Sequence, residues 1–523
     1  MTSLPEWPDG LGPRILTLAG NNLTIDTRAR KTASSLARAG FSVIAIGIDE
    51  LGNADPTEHH DGAVLARMVP PANPRISSRL IRLSRAELRE SMRYRVEIQR
   101  QRLQMGRRSL IAWSAWQSAE PSRLTRFLSR LWAGVLRRTS KNSAERAALQ
   151  QRFDHRTESV DARIRMAPRK ARVIATQRRH QLLTMAYKAL AKNPKWSLGR
   201  GSWRRDLPEQ QRFEAALGSV VDMLEPDLIH CHDIFHLGVA SRAKARRKSR
   251  GQDMKLIYDA QEFIAGLPSD PVRRAAYTDL EEEYFGRADA VLTVSESLAD
   301  LLEGRYGVRP AIVMNAPDME TARETEPLRS VAGVAEDSPL ITYVGGIAPH
   351  RGAETLLDAM MFLPDDAHLV FVSNSTTGYV AQLLETAAST GINGRVHVVP
   401  YVAPEAVVSY IRSADVSVIP LRRDVVNYEV ALPNKLFQSI HASVPVAVSD
   451  NPEMARFVRE HGVGEVFVGG EPKSMADAIM NILENHRLYE SRLSDPGLLD
   501  SLSWRQQAAN LIKVYGSLGV SVP

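Results

Sequence analysis

YEVALPNKLFQSIHASVPVAVSD, residues 428–450, predicts a helix that is followed at once by a buried strand. Proline needs no amide hydrogen in the first turn of a helix, so Pro433 marks the place where that helix begins. Residues 444–448 are apolar throughout, as expected of a strand that is covered on both faces in a parallel sheet. A helix that leads into such a strand is the repeating unit of α/β folds.

The same stretch predicts an anion site. Lys435 falls in the first turn of the helix, where the positive end of the helix dipole disfavours a cation unless an anion is bound beside it. The free amides of a helix start bind phosphate in the same place. We therefore expect Pro433, Asn434 and Lys435 to hold a diphosphate. The alternative is a lysine that is merely exposed at the surface.

Short apolar runs alternate with helical periodicity on both sides of this stretch, which predicts two doubly wound, Rossmann-like domains. Ligands of such sheets bind beyond the carboxyl ends of the strands, which points to the turn at Gly345 and Gly346. The corresponding turn of the other domain is Gly20, Asn21 and Asn22. If the two domains hold a donor and an acceptor in one cleft, we expect this turn on the acceptor side. The runs are residues 15–19, 43–46, 228–232, 256–259 and 290–294, then 340–344, 368–372, 396–399, 416–419 and 444–448.

The predicted organisation has four parts. Residues 1–317 form a first α/β domain, 318–338 a linker, 339–500 a second α/β domain and 501–523 a last helix. Apolar residues at helical spacing suggest that the last helix crosses back to the first domain. Residues 71–210 interrupt the first domain with an arginine-rich, strand-poor helical insertion.

The composition favours a cytoplasmic protein. With 44% hydrophobic and 24% charged residues, the 523-residue chain is neither fibrous nor wholly disordered. The single cysteine, Cys231, cannot form an internal disulfide, and no basic-then-apolar leader precedes Arg14. No run approaches the roughly 18 apolar residues that a spanning helix needs, so any membrane contact is expected to be peripheral.

Charge is unevenly distributed along the chain. Residues 71–200 contain 31 Lys and Arg against 8 Asp and Glu, a balance of +23 in a chain whose net charge is +7. In residues 124–135 the apolar side chains fall on one helical face and the arginines on the other, which is typical of a helix lying on an anionic membrane. The alternative is a helix packed on the domain core. Nucleic acid is disfavoured, because no binding motif accompanies the charge.

An ordered series of motifs resembles the family 4 glycosyltransferases, which have the GT-B fold. The donor-binding motifs are PNKLF (433–437), PVAVSD (445–450) and YVGG (343–346). The motifs of the first half are PDLIHCHD (226–233), YDAQE (258–262), ADAVLTVSE (288–296) and NAP (315–317). The resemblance covers roughly residues 14–70 and 211–520, and it implies two Rossmann-like domains that face each other across a cleft.

The resemblance also implies roles for single residues. Glu429 would match the carboxylate beside the transferring sugar. His232 would match a histidine near the reacting centre, although a hydrogen-bonded structural histidine is the alternative. Arg351 and Lys435 would match cations that neutralise the leaving diphosphate, since fixed cations stabilise such a charge without a metal. No Asp-x-Asp motif occurs, which disfavours a metal-dependent transferase of the other major fold. The resemblance implies a retaining, metal-independent transfer without a cofactor.

Four positions depart from the family pattern. The usual spacing from Gln438 places the family's glutamate on Val430, so Glu429 lies one residue off. Gln438 stands where the family usually has the glutamate that binds the nucleotide ribose, and an amide lacks the charge-assisted strength of that bond. Gly346 replaces a frequent basic residue. Gln261 replaces a histidine that is common before Glu262.

The sequence therefore predicts a glycosyltransferase. It would move a sugar from a UDP- or GDP-linked donor to a glycan or glycolipid acceptor, in cell-envelope polysaccharide synthesis. One alternative is a nucleotide-sugar epimerase of the same fold, which would turn over the donor without an acceptor. The other is a non-catalytic scaffold, which Gln438 and Gly346 would favour if they abolish nucleotide binding.

Changing Leu128 and Trp132 together to Ser should lower binding to anionic vesicles, because it removes side chains that would enter the headgroup boundary. Neutralising Arg123, Arg126 and Arg130 should weaken binding by about 1 kcal/mol per charge at modest salt. Sedimentation with phosphatidylserine vesicles measures both effects, and nucleotide affinity should not change. If the serine variant aggregates while the parent protein ignores vesicles, these side chains belong to a core and the membrane hypothesis is wrong.

Overall fold

The computed structural model describes residues 5–8, 12–24, 26–71, 202–267, 269–373 and 378–522. Two separate sheets lie within them, one of eight strands and one of six, and helices connect the strands of each. The predicted α/β fold with two Rossmann-like domains is confirmed. Most of the insertion, including the membrane helix predicted at residues 124–135, lies outside the described residues.

The N-terminal half of the chain builds the first sheet. Its strands are β1 (Arg14–Leu18), β2 (Ser42–Ile48), β3 (Thr57–His60), β4 (Ala63–Met68), β5 (Leu228–His232), β6 (Lys255–Asp259), β7 (Ala290–Thr293) and β8 (Ala311–Ile312). They lie in the order β3, β4, β2, β1, β5, β6, β7, β8, and only β3 and β4 pair antiparallel. Because earlier strands flank β1 on one side and later strands on the other, a crevice is expected beyond the carboxyl ends of β1 and β5.

Helices of the first domain follow the predicted rhythm. Asp26 begins α1 by accepting a hydrogen bond from the Ala29 amide, and Gly40 follows the helix end with a φ of +94° that favours glycine. The helices are α1 (Thr27–Arg38), α2 (Ser202–Asp206), α3 (Glu209–Leu224), α4 (Leu237–Ser249), α5 (Pro271–Tyr284) and α6 (Glu296–Tyr306).

The second sheet is wholly parallel. Its strands are β9 (Leu340–Val344), β10 (His368–Val372), β11 (Val396–Val399), β12 (Val416–Ile419), β13 (Val446–Ser449) and β14 (Gly464–Phe467). Their order is β11, β10, β9, β12, β13, β14. Strands are added on one side of β9 and then on the other, so a second crevice is expected between β9 and β12. The helices are α7 (Leu328–Ala332), α8 (Ala353–Ala359), α9 (Gly378–Ser389), α10 (Val407–Ile411), α11 (Val426–Glu429), α12 (Asn434–His441), α13 (Pro452–His461), α14 (Pro472–Glu484), α15 (His486–Leu493) and α16 (Pro496–Ser501).

The last helix, α17 (Trp504–Ser517), packs on the first domain. The Trp504 indole donates a hydrogen bond to the Ser35 hydroxyl of α1 at 2.8 Å. The Tyr515 hydroxyl lies 2.7 Å from His230 Nδ1 on β5. Trp504, Leu511 and Tyr515 are buried in the same apolar cluster as β1 and β2. The end of the chain is therefore part of the core of the first domain.

Arg28 on α1 and Asp259 at the end of β6 form a buried ion pair. Their side chains are 2% and 1% exposed, and the guanidinium contacts each carboxylate oxygen at 2.7 Å. Burial alone would raise the pKa of Asp259, but Arg28 and two neighbouring histidines outweigh it and hold that pKa well below its usual range. The pair fixes α1 to the carboxyl edge of the sheet.

Arg28→Met should lower the free energy of unfolding by about 3–5 kcal/mol, because it leaves the Asp259 charge buried without its main partner. Arg38→Met on the same helix is the matched control, since the Arg38 side chain is 38% exposed and pairs with the exposed Glu320 as well as with Asp318, whose side chain is 7% exposed. It should cost about 1 kcal/mol or less. Urea unfolding followed by tryptophan fluorescence compares them, and equal losses would contradict a special role for the buried pair.

Candidate functional site

The turn after β9 brings two glycines against two cations. Gly345 has a φ of +115°, which side chains rarely adopt, and a Cβ there would lie 3.8 Å from Lys435 Nζ. A Cβ on Gly346 would lie 3.5 Å from Arg351 Nη1. The structure thus brings together Gly345, Gly346, Arg351 and Lys435, which the sequence singled out separately.

Lys435 is a buried cation without an anion. Its Nζ is buried and finds no hydrogen-bond partner among the described residues. It lies 4.1 Å from the centre of the Tyr343 ring. Burial, followed by the charge of Arg351, lowers the pKa of Lys435 to about 7. Burying an unpaired ammonium is costly, so this arrangement indicates a site that an anion completes.

The helix that carries Lys435 begins one residue later than predicted. Pro433 precedes α12 with extended backbone at ψ 148°, instead of lying in its first turn, and Asn434 and Lys435 are the first two helical residues. No side chain caps this helix start. Its first amides therefore have no side-chain acceptor, and an anion beside Lys435 would supply one.

Arg351 lies in a short 3-10 turn, Pro349–Arg351, and donates a hydrogen bond to the Gly346 carbonyl oxygen at 3.4 Å. Burial raises the pKa of Tyr428 and that of Tyr343, the latter to about 12, and Arg351 opposes both shifts. It likewise opposes the rise that burial causes in the pKa of Glu262 from the first domain. The charge of Arg351 therefore acts on two tyrosine hydroxyls of its own domain and on Glu262 of the first domain.

Glu429 ends the four-residue helix α11 and is half-buried. Its neighbours contact the first domain: the Phe263 amide donates to Asn427 Oδ1 at 2.8 Å, and the Ser295 hydroxyl donates to the Val430 carbonyl oxygen at 2.7 Å. The segment with Glu429 therefore lies at the boundary of the two domains. A catalytic role for Glu429 stays a prediction.

Sequence reasoning did not assign two carboxyl groups of the first domain to the site. Asp233 directly follows β5 with a φ of +59°, and burial, together with Glu262 and Asp259, raises its pKa well above the usual range. Glu262 follows β6, and the charge of Arg351 opposes the rise that burial causes in its pKa. Both come just after carboxyl ends of strands, which was the signal that could have found them.

His232 is buried, whereas a role near the reacting centre predicts a side chain that faces the cleft. The residue is 1% exposed, and its Nδ1 lies 3.1 Å from Asp259 Oδ2. Its ring stacks on His230 at a centroid distance of 4.3 Å. Burial, helped by His232, lowers the pKa of His230 to about 4, so that ring is neutral near pH 7. The bond to Asp259 fits the structural alternative that the sequence left open, while His232 Nε2 has no hydrogen-bond partner among the described residues. A role for His232 near the reacting sugar stays a prediction.

The cluster of His230, His232 and Asp259 is the group among the described residues whose side chains approach closely enough to ligate a metal ion. Arg28 already contacts both oxygens of Asp259 at 2.7 Å in buried surroundings. A cation would have to displace that guanidinium or sit beside it. Neither is favourable, so the residues do not fit a metal site.

The acceptor-side loop is ordered by its own side chains. Asn21 accepts a hydrogen bond from the Leu23 amide and donates to Asp26, while Asn22 accepts from the Thr24 amide. A Cβ on Gly20 would lie 2.6 Å from the Phe235 ring, so the close approach requires glycine. These contacts fix the shape of the loop beyond β1. Contact of Gly20, Asn21 and Asn22 with an acceptor stays a prediction.

Asn434 and Gln438 line a cavity of about 510 Å³ between the two domains. Thr27 and Lys31 of α1 form part of the opposite wall. Burial raises the pKa of Tyr401, and a hydrogen bond with Gln438 opposes that rise. Asn434 adjoins Lys435 and Gln438 lies one turn further along α12, whereas Lys435 and Arg351 themselves do not line the cavity.

Comparison with known families matches both halves of the chain. Residues 324–494 match the model of the glycosyl transferases group 1, and residues 161–320 match the model of glycosyltransferase family 4. The D-inositol 3-phosphate glycosyltransferase of Nocardia farcinica is 26% identical over 251 residues, 45% of this chain and 54% of that protein. The enzyme of that name from Mycolicibacterium smegmatis is 26% identical over 331 residues, 60% of this chain and 73% of its own. The chain spans about half the length of the first curated relatives it matches.

Solved structures share the fold over nearly the whole chain. Sucrose-phosphate synthase from Thermosynechococcus elongatus superposes with a TM-score of 0.60 at 13% identity, over 98% of this chain and 100% of its own. A glycosyltransferase from Rickettsia africae gives a TM-score of 0.55 at 9% identity over the same shares. At such low identity these similarities show a GT-B architecture and nothing about substrates.

Lys435→Ala should weaken binding of UDP or GDP by about 1.5–3 kcal/mol, because it removes a charged hydrogen-bond donor from a desolvated site. The exposed lysine Lys473, changed to Ala, is the control in the same domain and should have no effect. Calorimetry measures both. Equal affinities of the parent protein and Lys435→Ala would exclude the proposed phosphate site.

The affinity of the parent protein should also fall as the pH rises above about 7. Free Lys435 loses its proton there, whereas a bound diphosphate stabilises the charged form and raises the pKa, so binding takes up a proton. The decrease approaches about tenfold per pH unit between the free and bound pKa values. Calorimetry from pH 6.5 to 9 should show this slope for the parent protein and lose it in Lys435→Ala. A slope that survives in the variant would assign the titration to another group.

Proposed function

Because the chain belongs to the group 1 glycosyltransferases of family 4, we propose that it transfers a sugar from a nucleotide-sugar donor to an acceptor on the N-terminal side of the cleft. The observation that carries the proposal is the buried Lys435 ammonium, which finds no hydrogen-bond partner among the described residues and is repelled by Arg351. A diphosphate at the start of α12 neutralises both cations and accepts hydrogen bonds from the helix amides.

The same groups suit the chemical step. Cleavage of the bond between the sugar and the diphosphate leaves negative charge on the departing phosphate oxygen. Lys435, Arg351 and the α12 amides are fixed before the reaction, so they stabilise that charge without reorganising. The complementary positive charge develops on the sugar, where the Glu429 carboxylate would stabilise it. We propose a retaining transfer that uses no metal.

The nucleoside would occupy the cavity beside Asn434 and Gln438. About 510 Å³ lies within the range of pockets that bind small molecules and cofactors. Gln438 offers an amide to the ribose, and its hydrogen bond with Tyr401 is the contact that a ribose hydroxyl would share or replace. Uridine and guanosine are the proposed bases.

The acceptor and the cellular setting extend the proposal further. We propose a glycan or glycolipid acceptor in cell-envelope polysaccharide synthesis, reached at an anionic membrane surface through the basic insertion. The related enzymes carry D-inositol 3-phosphate in their names, so that compound belongs in the acceptor panel. Among the described residues, no helix combines the length and apolarity that crossing a membrane requires.

Calorimetry with UDP, GDP and their common sugar conjugates tests the proposal directly. We expect at least one nucleoside diphosphate to bind, with Lys435→Ala weakening it. Turnover of the donor into a second nucleotide sugar without an acceptor would indicate the epimerase alternative. Absence of binding by every nucleotide in the panel would contradict the proposal and favour the scaffold.

Glu429→Gln should leave folding and diphosphate affinity intact but slow sugar transfer, because the neutral amide no longer stabilises positive charge on the sugar. Glu385→Gln, an exposed glutamate on α9, is the matched control. Release of UDP or GDP from the donor, measured with a coupled assay, compares the two. Near-normal turnover of Glu429→Gln would move this role to another carboxylate.

A further inference from the structure

Two hydrogen bonds join the first domain to the segment of residues 422–430, here called the Glu429 segment. The Phe263 amide donates to Asn427 Oδ1 at 2.8 Å. The Ser295 hydroxyl donates to the Val430 carbonyl oxygen at 2.7 Å. Ser295 is 1% exposed and Asn427 is 9% exposed, so both bonds are shielded from water and flank Glu429.

The Glu429 segment is short, and within its own domain Arg423 pairs with Asp450 at 2.9 Å and the Asn451 side-chain amide donates to the Arg422 carbonyl oxygen at 3.4 Å. Its helix, α11, has four residues and no side-chain cap, far below the length at which a helix is stable alone. Arg422 and Arg423 at its start have half-exposed side chains. A Cβ on Gly266 would lie 2.9 Å from Val426 Cβ, so the first domain also approaches α11 in van der Waals contact. The position of Glu429 therefore depends on the loops after β6 and β7.

We propose that Ser295 and Asn427 are positioning residues that hold the Glu429 segment against the first domain. The proposal rests on the proposed function, because it gives Glu429 a role at the sugar. Lys435 and the start of α12 lie outside the segment. Loss of either hydrogen bond should therefore slow turnover much more than it weakens binding of the donor diphosphate.

Asn427 gives the cleaner test of the two. Its Oδ1 accepts the Phe263 bond, while its Nδ2 is buried and has no hydrogen-bond partner among the described residues. Asn427→Asp keeps the acceptor, and Asn427→Leu removes it at similar volume. Ser295 also caps α6, since its hydroxyl accepts from the Leu298 amide at 3.3 Å. Ser295→Ala therefore removes a helix cap together with the bond to Val430.

Ser297 is the matched control. Its hydroxyl bonds to Glu453 on α13, so it lies at the same domain boundary but outside the Glu429 segment. Ser297→Ala breaks a contact between the domains without touching Asn427 or Val430. This variant therefore distinguishes a general loosening of the boundary between the two domains from release of the Glu429 segment alone.

Limited trypsin cleavage after Arg422 and Arg423 reports the freedom of the segment without any substrate. A lost buried hydrogen bond should speed this cleavage by about three- to tenfold in Asn427→Leu and Ser295→Ala, because cleavage follows local opening. Asn427→Asp and Ser297→Ala should cleave at the rate of the parent protein. Unchanged cleavage in Asn427→Leu, or equal acceleration in Ser297→Ala, would overturn the proposal.

Hydrolysis of UDP-glucose and of GDP-mannose supplies the second measurement. Asn427→Leu should lower kcat several-fold with KM within about twofold of the parent value, and Asn427→Asp should recover kcat. A rise in KM with kcat unchanged would overturn the positioning role. If the parent protein hydrolyses and binds neither nucleotide sugar, the proposed function fails for these donors, while the trypsin comparison still decides whether the segment is held.

Discussion

The carboxylate of Asp259 connects the elements on which the first domain depends. It pairs with Arg28 of α1, whose guanidinium also donates to the Val313 carbonyl oxygen beyond β8 at 2.8 Å. It contacts His232 directly, and His230 lies next to it and bonds to Tyr515 of the last helix. One buried negative charge thus joins α1, β5, β6 and the end of the chain. Since a buried carboxylate is tolerated only with such partners, these elements hold their places together.

The second domain contains the opposite case, a charge with no hydrogen-bond partner in the part of the chain that the structure describes. Lys435 and Arg351 repel each other, and burial lowers the pKa of Lys435 to about 7. In the first domain the cost of burying Asp259 is offset within the fold. At the start of α12 the cost of burying Lys435 would be offset by the proposed diphosphate, so that part of the folding free energy would become available for binding.

The sequence predicted best what depends on local chemistry. The Pro433 to Lys435 helix start and the glycine turn after β9 follow from residues close in sequence, and the structure brings them together. The sequence left the role of His232 open between a catalytic and a structural histidine, because its surroundings depend on the pairing of Asp259 with Arg28, 231 residues away in sequence. Asp233 and Glu262 were missed for a related reason: their raised pKa values arise from packing that no local pattern encodes. The strand β8, of two residues, was too short to show a pattern.

The strengths of the contacts suggest how the two domains divide their work. The core around α17 combines buried aromatic packing with the network of Asp259, and breaking a buried charge pair costs about 3–5 kcal/mol. The Glu429 segment is held by two neutral hydrogen bonds, each worth about 0.5–1.5 kcal/mol. Thermal motion can therefore release the segment while α17 stays on the first domain. Entry of the proposed donor and exit of its product would need such an opening, and contacts of this strength would allow the cleft to open at the segment while it stays joined at the last helix.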